Sequence, residues 1–283
     1  MHGIIFRLSK MTSAICIAGS GVAGFCLRGG QIRNQGLWLF FGLLFLTMGA
    51  GVLNQLQEID VDRKMARTKR RPLPAGEISA WCAGVICLAF LCFGLGLLFV
   101  SQEGVIGFLG ILGLALYNGM YTPLKKKVSW AIFPGAFAGC IPPLMGFFAA
   151  GGIASEPMCL SLLGFSYSWQ IAHFCLLVLA NKTEYEKTEE KNVYQEIGFG
   201  GVGFLSIACG GICAGLVYGN VRFPSQAASG FPTVLFLCVP WLLLSCFPAS
   251  GKIFPALNFF HGAFLAWNVL LAVGIFSIAQ GCF

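Results

Sequence analysis

The sequence predicts an all-α integral membrane protein of about nine transmembrane helices. It places the N-terminus inside and the C-terminus outside, with one membrane domain over residues 1–283. Three observations predict this: the composition, the lengths of the apolar runs and the sidedness of the basic residues. Of the 283 residues, 57% are apolar or aromatic and only 10% are charged, and the mean hydropathy is +0.80. A soluble domain carries about 25% charge. So few charges cannot cover a water-facing surface, and the remaining apolar surface must face lipid. The same numbers exclude disorder, collagen and coiled coil.

A spanning helix needs ~20 mostly apolar residues. Nine runs meet that length: 11–27, 36–57, 79–100, 104–121, 130–150, 158–180, 197–218, 231–249 and 255–280. Pro255 and His261 interrupt the start of the last. The short start Met1–Lys10 reads neither as a secretory signal nor as a transit segment, which favours a bacterial inner membrane. With the N-terminus inside, fifteen of the eighteen lysines and arginines fall on the inner side. Only Arg28, Arg33 and Arg222 fall outside. That asymmetry is the positive-inside bias. The net charge of +7 is therefore mainly a topology signal, and no nucleic-acid partner is expected beside the membrane lipid. The 13 cysteines lie mostly inside apolar runs and form no CxxC, so they read as small packing residues. Gly19-Ser20-Gly21-Val22-Ala23-Gly24 fits GxGxxG but lies within a span and lacks an acid ~20 residues on. It reads as a stripe of small residues that lets helices approach closely.

The acids carry the functional signal. Nine of the eleven lie on the inner side, although acids contribute little to topology. Asn54, Glu58 and Asp62 stand at i, i+4 and i+8 at the inner end of the second span. Each step drifts only ~40° around a helix, so the three form one stripe ~12 Å long. Stacked carboxylates repel, and carboxylates near lipid are expensive. A row of oxygen ligands makes sense for Mg²⁺, which takes one or two carboxylates plus substrate phosphate oxygens. Asp60 lies ~200° around from Glu58 and falls off the stripe. From Arg63 to Arg71 six cations follow in nine residues. They suit a diphosphate clamp or a headgroup-binding loop.

The segment NQLQEIDVDRKMARTKRRPLPAG resembles the first acidic motif of the UbiA superfamily of membrane prenyltransferases, most of all its protoheme IX farnesyltransferase branch. The usual form is N-x-x-x-D-x-D-x-D followed by K-M-x-R-T-x-x-R-P, and Glu58 replaces its first aspartate. Tyr121-Thr122-Pro123-Leu124-Lys125-Lys126, Pro134-Gly135 and Pro142-Pro143 resemble the same branch. Trp169-Gln170-Ile171-Ala172-His173-Phe174 is similar to its W-x-x-P-H-F element, with Ala172 in place of proline. Asn181-Lys182-Thr183-Glu184-Tyr185-Glu186 resembles the second acidic motif, usually K-D-D-Y, with Thr183 at one aspartate position and without the usual continuation.

The resemblance implies helices around a central cavity and a Mg²⁺-dependent transfer of a farnesyl group from farnesyl diphosphate to haem B, giving haem O. Asn54, Glu58 and Asp62 would act catalytically by holding the metal, with Glu184 as a further ligand. Arg67, Arg71, Lys125, Lys126 and Tyr121 would bind substrate. His173 would contact the haem acceptor. It also implies hand-over to haem A synthase or terminal oxidase assembly. Two other classes stay open: a UbiA-type enzyme with another acceptor, such as a quinone precursor, and a non-enzymatic transporter or haem-binding membrane protein.

Overall fold

Long apolar runs have no water to satisfy their backbone, so they close their hydrogen bonds internally as helices. In a computed structural model describing residues 2–66, 68–101, 104–180 and 191–221, every regular element is helical. A short first helix, α1 (His2–Leu8), precedes α2 (Met11–Leu27) and α3 (Asn34–Gln57). After α3 come α4 (Ile59–Lys64), α5 (Ala80–Ser101) and α6 (Gly104–Leu114). The last of these runs on as a π-helical segment (Ala115–Tyr121) into α7 (Thr122–Leu124). A 3-10 turn (Ser129–Ala131) leads into α8 (Ile132–Ala149), followed by α9 (Pro157–Ala180) and α10 (Val193–Val221).

Six of these stretches are long and apolar enough to cross a membrane: Asn34–Gln57, Ala80–Val100, Gly104–Leu124, Ser129–Ala149, Pro157–Leu179 and Val193–Cys213. Met11–Leu27 is a shorter apolar helix. The protein is thus a multi-pass membrane protein. Seven of the expected spans fall on these helices. The last two, 231–249 and 255–280, lie outside the described residues. The helix of the seventh span, α10, begins earlier than expected, but Gly198 breaks it with φ 67°, ψ −174°. That left-handed φ is open to glycine at little steric cost.

Backbones meet where side chains vanish. A Cβ at Gly24 would stand 2.0 Å from the Pro143 carbonyl oxygen, and one at Gly146 would stand 1.8 Å from that of Gly21. The small-residue stripe of α2 is therefore the seat of α8, as close membrane packing requires. Around it, Ala18, Phe25, Leu39, Leu43, Leu98 and Met145 form the largest buried cluster. A second cluster joins α8, α9 and α10 through Ala136, Ile171, Cys175 and Val202.

Polar contacts sort to the two ends of the bundle. At one end Arg28 pairs with Glu156 at 3.0 Å. At the other lie Arg7 with Glu77, and the acids at the end of α3. That second end holds the site.

Candidate functional site

Helix α3 stops at Gln57, and Glu58 leaves the helical region at φ −118°, ψ 11°. The Asp62 amide still donates to the Glu58 carbonyl at 2.8 Å, so helical hydrogen bonding resumes at once in α4. All three residues of the expected stripe are buried on either side of this jog. Asn54 is 2% exposed, Glu58 4% and Asp62 3%, whereas Asp60 is exposed and pairs with Arg63 at 3.5 Å. One aspartate of the pair enters the site and the other faces away.

Each member of the stripe meets a cation. Arg71 Nη1 donates to both carboxylate oxygens of Asp62, at 2.9 and 2.7 Å. Lys125 Nζ pairs with Glu58 Oε1 at 2.5 Å. Lys10 Nζ donates to Asn54 Oδ1. The other end of the Asn54 amide donates to Thr122 Oγ1 at 3.4 Å, which in turn donates to the Tyr117 carbonyl at 2.9 Å. Those contacts turn the Asn54 oxygen toward the cations. Buried carboxylates are tolerated only with such partners.

Lys10 is the functional residue that sequence reasoning missed, having counted it only among the inner charges. Burial draws its ammonium down from the ordinary lysine range to about 7; Arg71 and Lys125 push the same way, against Glu58 and Asp62. Three basic side chains thus face two carboxylates, an arrangement receptive to an anion, whose charge would itself favour the protonated lysine.

The loop that presents Arg71 is folded on itself. Thr68 donates its hydroxyl to the Asp62 carbonyl at 3.0 Å, and Met65, Pro72 and Leu73 are buried beneath it. Lys125 is placed by the π-helical segment. Asn118 donates to the Ala50 carbonyl at 3.1 Å and to Gln57 Oε1 at 3.2 Å, and Gln57 donates back to the Asn118 carbonyl at 3.0 Å. This stitches the widened turn to α3. Such π-helical turns recur at functional sites, and nothing in the sequence announced this one. Lys126 does not join its neighbour: its Nζ donates to the Gln57 carbonyl at 2.7 Å, closing the end of α3. Arg67 and the second acidic motif with Glu184 lie outside the described residues.

An aromatic row leads away from the acids. Lys125 Nζ stands 5.6 Å from the centre of the Tyr121 ring. Tyr121 stacks on Tyr117 at 5.9 Å and meets Phe174 at 5.6 Å. Phe174 lies 6.2 Å from the His173 ring, which stacks on Trp169 at 5.1 Å and 12°. The structure therefore brings Asn54, Glu58, Asp62, Arg71, Lys125 and Tyr121 together, with His173 two rings further along.

Fold and site define a class: a helical membrane protein whose buried carboxylates and cations sit at one end of the bundle and open onto an aromatic wall. The family model of the UbiA prenyltransferase family matches residues 15–280, and the chain belongs to that family. Among its relatives is a protoheme IX farnesyltransferase of Geobacter sulfurreducens, 35% identical over 183 residues, 64% of this chain and 65% of that protein. One of Rhodopirellula baltica is 32% identical over 219 residues, 73% of this chain and 74% of that protein. Several such alignments, the Geobacter one included, span less than two thirds of the relative's length. A UbiA homolog from Archaeoglobus fulgidus bound to GPP and Mg²⁺ shares the fold with a TM-score of 0.74 at 15% identity, covering 95% of this chain and 99% of that one. The apo UbiA homolog from Aeropyrum pernix K1 gives 0.72 at 16%, covering 95% and 98%.

Proposed function

We propose that the chain is a single-domain prenyltransferase of a bacterial inner membrane. It moves a farnesyl group from farnesyl diphosphate to a vinyl group of haem B, giving haem O. The continuity of the site carries this reading. The carboxylate and cation cluster passes through Tyr121 and Phe174 to His173 in successive contacts, so an anion and a flat apolar acceptor can lie side by side. Relatives named protoheme IX farnesyltransferase support the acceptor.

The donor set fits Mg²⁺. Asn54 Oδ1 and the Glu58 and Asp62 carboxylates are hard oxygens, buried together, with two acids as such sites usually have. Glu184 would join them. Bound there, Mg²⁺ would neutralise diphosphate oxygens as a Lewis acid.

The residues of the chain do the rest. The allylic C–O bond breaks and its electron pair leaves with the diphosphate. Arg71, Lys125 and Lys10 oppose the charge growing on the leaving oxygens, and Arg67 would add a further positive charge. Tyr121 and Phe174 offer their faces to the allylic cation and keep water from it. The vinyl π electrons form the new C–C bond. Water adds to the carbon left electron-deficient and releases a proton. His173, braced on Trp169, holds the macrocycle. The acidic end faces the cytoplasm in this reading, and the product passes to haem A synthase or terminal oxidase assembly.

Mass spectrometry of haems from cells expressing the chain tests this. Conversion of one vinyl of haem B into a hydroxyethylfarnesyl group, a gain of one farnesyl and one hydroxyl, is expected. Unmodified haem with a prenylated quinone precursor in its place would move the acceptor. No prenylated product at all would overturn the reading.

A further inference from the structure

Gln55 is a buried polar side chain with no task in the chemistry above. It is 0% exposed. Its Nε2 donates to the Leu8 carbonyl at 2.7 Å and the Arg7 carbonyl at 3.1 Å, while its Oε1 has no hydrogen-bond partner. A buried amide oxygen left unpaired is destabilising, and methionine would fill the same space without that loss. The two carbonyls it holds are at the end of α1, where helices leave such groups unsatisfied.

Directly after them, Lys10 adopts φ 51°, ψ 46°. Among the described residues it is the one non-glycine at positive φ, a conformation that persists only when the surroundings hold it. One turn back from Gln55, on the same face of α3, a Cβ at Gly51 would stand 3.0 Å from the Ser9 carbonyl oxygen. Ser9 is itself fully buried. On the other side the Arg7 guanidinium holds Glu77 Oε1 at 3.0 Å and the Arg70 carbonyl at 3.2 Å. The turn is thus gripped from both sides. Relaxed to the right-handed region, Lys10 would let α1 run into α2 and carry its side chain away from Asn54.

We propose that Gln55 is a positioning residue that, with Gly51, locks the strained Ser9–Lys10 turn and so delivers Lys10 to the diphosphate site as a third cation beside Arg71 and Lys125. This rests on the reading of the site as one for an isoprenyl diphosphate. The role is indirect: Gln55 touches no substrate and acts only through Lys10.

The test is a double-mutant cycle on the full chain in lipid nanodiscs, reading Mg²⁺-dependent binding of farnesyl thiodiphosphate without haem. Lys10→Met and Gln55→Met should each weaken binding by about tenfold, the scale of one lost charged contact. In the Lys10→Met background, Gln55→Met should add nothing, because coupled residues are non-additive. Gly51→Ala, which pushes on the Ser9 carbonyl, should show the same dependence on Lys10 and carries the cycle if Gln55→Met does not accumulate. Equal losses in both backgrounds, or unchanged binding in Gln55→Met, would overturn the proposal. Absence of binding by the parent chain would instead sink the isoprenyl diphosphate reading itself.

Discussion

Asp62 and Arg71, nine residues apart, meet through a single guanidinium nitrogen that donates to both carboxylate oxygens, at 2.7 and 2.9 Å. Asp62 is buried and Arg71 largely so. Removing either partner therefore leaves a buried charge uncompensated, which is far more damaging than losing an exposed pair. Asp62→Asn should lower Mg²⁺-dependent turnover on the order of 10²-fold or more. Asp60→Asn, at an exposed position, should cost little. Turnover in membranes at equal expression measures both, and full activity of Asp62→Asn would remove the metal role from this stripe.

Glu58 should tolerate shortening but not neutralisation. Its carboxylate faces Lys125 at 2.5 Å, and the lysine stem is flexible enough to follow a carboxylate drawn back by one methylene. Glu58→Asp should keep most activity. Glu58→Gln should lose on the order of 10²-fold, with the Mg²⁺ requirement shifted to higher concentration. A Glu58→Gln variant with an unchanged Mg²⁺ titration would contradict this.

In the proposed function His173 stands at the acceptor end of the aromatic row. His173→Ala should raise the haem concentration needed for half-maximal rate by about tenfold while prenyl diphosphate binding stays nearly intact. Measuring both in purified enzyme separates the two. Parallel loss of both would make His173 a packing residue of α9.

Helix contact between α2 and α8 should fail at one glycine and not at another. A Cβ at Gly146 meets backbone at 1.8 Å, while one at Gly19 meets nothing within 4 Å. Overpacking of this kind costs about 1–3 kcal/mol. Gly146→Ala should therefore lower the thermal midpoint in detergent. Gly19→Ala should leave it unchanged or slightly raised, since alanine is the better helix former.

Sidedness is measurable with cysteine tags. Positions beside Arg67 and Lys126 should label from the cytoplasm, and a position beside Arg222 from outside. Labelling of the first two from opposite sides would break the nine-span topology.

What could be read from sequence depended on distance along the chain. Asn54, Glu58 and Asp62 share one helical stripe, so local geometry alone placed them together. Seven spans announced themselves by length and apolarity. Lys10 could not be read this way: its Nζ reaches Asn54 only because a left-handed turn aims it there, and a turn held by Gln55 is a tertiary fact. Lys125 and Lys126 are adjacent and chemically alike. The π-helical register sends one to Glu58 and the other to the Gln57 carbonyl, a difference of orientation that composition does not carry.

The N-terminal turn has a consequence for gene starts. Met11 follows Lys10 directly and opens α2. Translation initiated at Met11 instead of Met1 would yield a polypeptide that keeps the described helices from α2 onward yet lacks the ammonium that meets Asn54. Such a product would count as normal on a blot yet bind the diphosphate about tenfold more weakly.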